Sequence, residues 1–253
     1  MSKEMEETLQ RCPLNNSQVP FSAEDFLHLP QQMQAYLTHC RYFGKGRIYN
    51  FLIDFEHTGI KLKPDAKWTS MKCQQFNSVL PPTRLALMQS RMYGFIPFTG
   101  RDKLQNGHGN MLIKLAGITV SNATGTKMDQ AALVTYLAET PLLPAAYLLH
   151  NITWNEISEN IIKATVTDAG NTASGEFYFN DQHEINAFRT NDRFYSSDGK
   201  EYKNWAWSAY YDRYEERNGI KIPTVVRAVW HMPEGDYEYF RAATKSIRYN
   251  IRP

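Results

Sequence analysis

The chain has 253 residues, 42% hydrophobic and 21% charged, a balance that excludes a disordered or low-complexity polypeptide. With 28 basic residues against 26 acidic, the formal charge is only +2. That leaves no concentrated basic face for phosphate backbones and argues against a nucleic-acid partner.

Residues 1 to 20 are polar and are expected to form a flexible segment ahead of a single domain over 21 to 253. In "PFSAEDFLHLPQQMQAYLTHCRYF", Ser22 and Asp25 have the spacing of a capping box, and Phe21 and Phe26 resemble a hydrophobic staple. Pro30 suits the first turn of a second helix, in which Met33, Tyr36, Leu37 and Cys40 recur at three- and four-residue intervals. These elements make a small helical cap over 21 to 43.

From Arg47 the apolar period falls to two. "RIYNFLIDFEHTGIKL", "WTSMKCQQFNSV", "RLALMQSRMYGFIPF" and "GNMLIKLAGITVSNATG" read as strands, with Gly100, Gly107 and Gly109 marking turns. A helix from about Asp129 to Glu139 interrupts this meander, its buried stripe being Ala132, Leu133, Tyr136 and Leu137. After the break at Pro141 and Pro144, "NIIKATVTDAGNTASGEFYFNDQHEINAFRTNDRFY" holds three strands, and Ile162, Ala164 and Val166 share one face. "WAWSAYYDRYEERNGIKIPTVVRAVWH" is a hairpin turning at Asn218 and Gly219. "GDYEYFRAATKSIRYNI" supplies the last strand or two. The 13% of aromatic residues suits pleated surfaces. The predicted class is therefore α+β, mainly antiparallel β. A sheet of about nine to eleven strands curls into a half-barrel over 44 to 253 around the inserted helix.

Three cysteines form no C-x-x-C and no disulfide framework, which favours a reducing compartment. The N-terminus lacks the apolar core of a signal peptide, and no run of about 18 apolar residues spans a membrane. A cytoplasmic location is expected. No G-x-S-x-G elbow and no H-E-x-x-H occurs, and "NGHGN" around His108 reads as a hairpin turn. No catalytic residue, metal ligand or cofactor is assigned.

Glu139 stands out because an acid at a helix C-terminus opposes the macrodipole. Arg189 and Arg193 in "FRTNDRFY", four residues apart and on one face if the strand is regular, are candidate partners, as is Arg101. The pair either pins the helix end to the sheet or selects a polar head group at a pocket mouth. Trp205 and Trp207 share one strand face, with Tyr210 and Tyr214 on the other and Trp230 nearby. These rings either fill a core or line an apolar pocket.

Taken in order, "LPQQMQAYL", "GRDKLQNGHGNMLIKLAG", "YLAETPLLPAAYL", "ITWNEI", "FRTNDRF", "NWAW" and "GIKIPTVVRAVWHMPEGDYEYFR" resemble a bacterial family designated only as a domain of unknown function. Many members of that family carry membrane segments ahead of this domain, and none is visible here. More distantly, the layout is similar to the lipoprotein carriers LolA and LolB, which hold acyl chains in a half-barrel. The resemblance implies no catalytic residues.

The expected function is a binding protein for a hydrophobic small molecule or lipid. Tyr136, Leu137, Trp205, Trp207 and Trp230 would line the hollow, with Glu139 and Arg189 or Arg193 at its polar end. The alternatives are a hydrolase or isomerase using Glu139, and a structural or partner-binding module whose curl is filled by side chains.

Overall fold

Asn106–Gly107 and Asn218–Gly219 both take positive φ, 53° and 75° in the first pair and 54° and 76° in the second. Two-residue loops between right-twisted strands need this backbone, and such turns fold the chain into one antiparallel sheet. The computed structural model describes residues 3–12, 14, 18–92, 94–196 and 201–252.

The first meander runs β1 (Asn50–Ile60), β2 (Thr69–Ser70), β3 (Lys72–Ser78), β4 (Thr83–Met92), β5 (Ile96–Gln105), β6 (His108–Leu115) and β7 (Ile118–Ala123). The second runs β8 (Ile152–Ser158), β9 (Ile161–Asp168), β10 (Asn171–Phe179), β11 (Ile185–Thr190), β12 (Ala206–Arg217), β13 (Ile220–Met232) and β14 (Gly235–Tyr249). Pairing of β1 with β14 joins them, so the order across the sheet is β7-β6-β5-β4-β3-β1-β14-β13-β12-β11-β10-β9-β8, with β2 on β1.

The described residues thus hold fourteen strands, more than the nine to eleven expected. The excess is β2, β5, β7 and β8. As sheet edges, β7 and β8 are open on both faces and show little alternation. Gly100 and Gly109, expected at turns, lie within β5 and β6. Gly109 is required by close approach: a Cβ there would sit 2.2 Å from the Met128 carbonyl oxygen.

Met128 belongs to α3 (Thr126–Ala138), which crosses between the two sheet edges. Every residue from Ala131 to Ala138 is buried, as expected of a helix enclosed on all sides. It packs against β5 and β6 on one side and β9 and β10 on the other. Asn171 Nδ2 donates to the Gly107 carbonyl at 2.9 Å, bringing the β5–β6 and β9–β10 hairpin tips together beside the helix.

The opposite end of α3 is closed by the helical cap. Ser22 and Asp25 exchange backbone-to-side-chain hydrogen bonds, and the Phe21 and Phe26 rings stand 5.3 Å apart. Met33, Tyr36, Leu37 and Cys40 on α2 (Gln31–His39) and just beyond it are fully buried. The outer face of β1, β3 and β4 is covered as well. Met5, Leu9 and Cys12, on and just after α1 (Lys3–Gln10), pack onto Leu52, Phe76 and Leu85. The flexible segment expected over 1 to 20 is thus corrected for Lys3–Gln10, because an apolar stripe on that helix finds a bare strip of sheet. Residues 1, 2, 13 and 15 to 17 lie outside the described residues.

Candidate functional site

The helix C-terminus leaves carbonyls that need donors. Tyr211 donates to the Ala138 carbonyl, and Tyr36 and Tyr42 donate to that of Pro141 at 3.1 and 2.9 Å. Glu139, the next residue, turns toward the β3–β5 wall, where Gln75, Asn77, Arg84 and Asp102 project inward. Arg84 Nε lies 3.0 and 2.9 Å from the two Glu139 oxygens, and Asn77 Nδ2 donates to Oε2 at 2.8 Å. Arg84 also reaches Asp102 Oδ2 at 2.8 Å and Gln75 Oε1 at 3.3 Å, and Gln75 Nε2 donates to Asn77 Oδ1 at 2.8 Å. Burial alone would lower the Arg84 pKa; Glu139 and Asp102 beside it reverse that and leave it raised.

Arg84 was not among the candidates. In "RLALMQ" the apolar Leu85 and Leu87 suggest the covered face, which assigns Arg84 to solvent. Because α1 covers the outer face, both faces of β4 are buried. Of the three arginines expected near Glu139, Arg101 pairs with Glu4 at 2.9 Å. Arg189 is exposed and its neighbour Phe188 faces inward, so it belongs to the outer surface. Arg193 lies beyond the end of β11, so the four-residue spacing gives no common face. Its guanidinium donates to Thr135 Oγ1 of α3 and stacks over Trp207 at 4.7 Å and Trp230 at 5.8 Å.

Tyr136 and Leu137 are sealed in the main core, and the Tyr136 hydroxyl has no partner among the described residues. Burial pushes its pKa up. Trp207 and Trp230 are buried at the wall formed by β12 and β13, with Trp207 Nε1 donating to Tyr239 at 3.1 Å. Trp205 is half-buried against Tyr195, their rings 4.8 Å apart. Tyr214, expected opposite Trp207, turns inward and meets Tyr36 edge-on, because Arg213 at φ 56° breaks the alternation of β12.

Beside the polar row the buried apolar residues fall into two clusters. One is the main core around α3; the other is Met71, Cys73 and Met88 with Ile60 and Met111, and the partly buried Phe55 packs against both. The side chains of Arg84, Asp102 and Glu139 are 9%, 16% and 20% exposed, so the row is not fully sealed from water. Both Glu139 oxygens are already hydrogen-bonded, which leaves it poorly placed as a general acid or base.

A second polar chain has the connectivity of a hydrolase triad. Ser208 Oγ lies 2.9 Å from His231 Nε2, and His231 Nδ1 lies 2.7 Å from Asp236 Oδ1. Ser208 is only 2% exposed and sits mid-sheet between Arg189 and Val229. The surrounding N–H groups are engaged in the ladder, so none is left to hold an oxyanion. No cluster of three metal-ligating side chains occurs among the described residues. No helix among them is long and apolar enough to cross a membrane.

The profile of DUF6544, a family of unknown function, matches residues 19–242. No curated protein sequence matches. Among solved structures, the chain is similar to a Vibrio parahaemolyticus domain provisionally assigned to outer membrane lipoprotein sorting, at 9% identity and a TM-score of 0.48, covering 90% of this chain and 94% of that one. It is also similar to a LolA superfamily protein from Nitrosomonas europaea, at 9% identity and a TM-score of 0.45, covering 95% and 96%.

Proposed function

The chain belongs to DUF6544, a family of unknown function, and we propose that it is a binding protein for an apolar ligand such as a fatty acyl chain. The ligand lies on the inner face of the sheet beyond the end of α3, between the methionine cluster and Arg193, which covers the buried Trp207 and Trp230 rings. Glu139 and its partners mark the inner limit of this site, and Arg193 stands on the tryptophan wall. Tyr136, Leu137 and Arg189 take no part, being respectively inside the core and on the outer surface.

The observation that carries this reading is the separation of the methionine cluster from the main core. A sheet filled throughout by its own side chains would unite the two. Here their buried members stay separate beside a polar row, Phe55 is the contact between them, and Phe55, Ile60 and Met111 remain only partly covered. Methionine side chains adapt to guests of varied shape, and apolar side chains bordered by a few polar groups suit an amphiphile.

Native mass spectrometry of the purified protein, followed by titration with a fluorescent fatty-acid probe, tests the proposal. The expected result is a one-to-one adduct whose probe emission shifts to the blue. Met88→Asp should abolish the shift while Leu62→Asp, on an exposed loop, leaves it unchanged. A bare polypeptide mass with no probe uptake would sink the reading.

A further inference from the structure

We infer that the ligand carries an anionic head group, a carboxylate or phosphate monoester, and that Arg193 is the residue that receives it. The inference rests on the binding reading above and adds the chemical class of the ligand's polar end.

Most arginines named here meet a carboxylate. Arg84 holds Glu139 and Asp102, Arg47 holds Asp25, Arg41 holds Glu216 and Arg101 holds Glu4. Arg193 differs. Among the described residues no carboxylate lies within ion-pair distance of it; its contacts are one threonine hydroxyl and two indole faces. A guanidinium has five N–H donors in a planar fork, and Thr135 takes one.

The kind of contact matters as much as the count. An ion pair fixes a cation by neutralising it. An aromatic face fixes it through the ring quadrupole and leaves its charge in place. Trp207 and Trp230 therefore orient the Arg193 fork while keeping it electrostatically available. The same device recurs nearby: Lys127, on the first turn of α3, lies over Phe194 and Tyr202, and Lys203 lies over Trp205. The rim where an amphiphile's head would rest thus holds cations against rings.

The position suits the chemistry. Arg193 is half-buried, so a charge-assisted pair there is less screened than one in bulk water. The carboxylates of the polar row are already shared with Arg84 and so do not compete for it.

The test is a native mass spectrometry titration with three matched ligands: palmitate, hexadecyl phosphate and methyl palmitate. The intact wild-type chain should bind one or both anions about tenfold more tightly than the ester, the effect of one charge-assisted hydrogen bond. Preference for both anions, or for one, names the head group. Arg193→Gln should bring the anions to within about twofold of the ester while ester binding is kept. If the ester binds wild type as well as the anions do, the head-group assignment is overturned and the apolar site stands. If none of the three binds, both readings fall. Anion preference that survives Arg193→Gln would overturn the assignment to Arg193, and the wild-type comparison by itself decides the head-group class.

Discussion

The two walls that grip α3 are built on opposite principles. The β9–β11 wall is dry: Ile162, Ala164, Val166, Ala173, Phe177 and Phe188 face the helix fully buried, with the Phe177 and Phe188 rings 4.8 Å apart. The β3–β5 wall meets the end of the same helix with Gln75, Asn77, Arg84 and Asp102, all tied to Glu139 directly or through one another. Dispersion and water exclusion act without direction, so the dry wall supplies stability. Ion pairs act with direction, so the polar wall fixes where the helix ends.

Breaking each wall should separate these roles. Arg84→Ala leaves Glu139 and Asp102 facing each other without a cation, and chemical denaturation should show a loss of about 3–5 kcal/mol. Replacing Arg84, Glu139 and Asp102 together by Met, Leu and Leu should recover most of that loss. A triple variant as unstable as the single one would refute the directional role. Phe177→Ala on the dry wall should also cost about 3–5 kcal/mol, but no partner change should restore it, since a cavity remains.

Smaller changes sharpen the contrast. Gly109→Ala places a methyl against the α3 backbone, and a loss of about 1–3 kcal/mol is expected, with native-state hydrogen exchange rising first in α3. The weakest effect belongs to Asp168, at the end of β9, whose carboxyl is raised by burial. A raised folded value means that its protonated form adds stability below the ordinary carboxylate pKa of about 3.9, lost as pH rises through the folded value. Asp168→Asn should flatten the stability curve over that window, and an unchanged curve would count against the burial.

Much of this was readable from the residues. The capping exchange at Ser22 and Asp25, the stripe ending at Cys40, the Asn218–Gly219 hairpin and the Ile162–Val166 alternation are local signals, and each appears as read. The partner of Glu139 was not readable. Arg84 lies 55 residues away, and its strand looks one-sided until α1 is seen on the outer surface. The spacing of Arg189 and Arg193 misled because periodicity holds only while a strand continues, and β11 stops at Thr190. The edge strands β7 and β8 were faint for a similar reason: alternation records a covered face, and edges have little of one.

Pairing of the first long strand with the last also dictates an order of assembly. Each half of the sheet is a run of sequence-local hairpins that can form as it is synthesised, whereas the seam between Phe51 and Tyr249 joins residues from opposite ends of the chain. Such distant pairings close slowly. Until Gly235–Tyr249 has left the ribosome, two half-sheets wait with their central margins bare, and a nascent chain halted there would be exposed to chaperones and to aggregation.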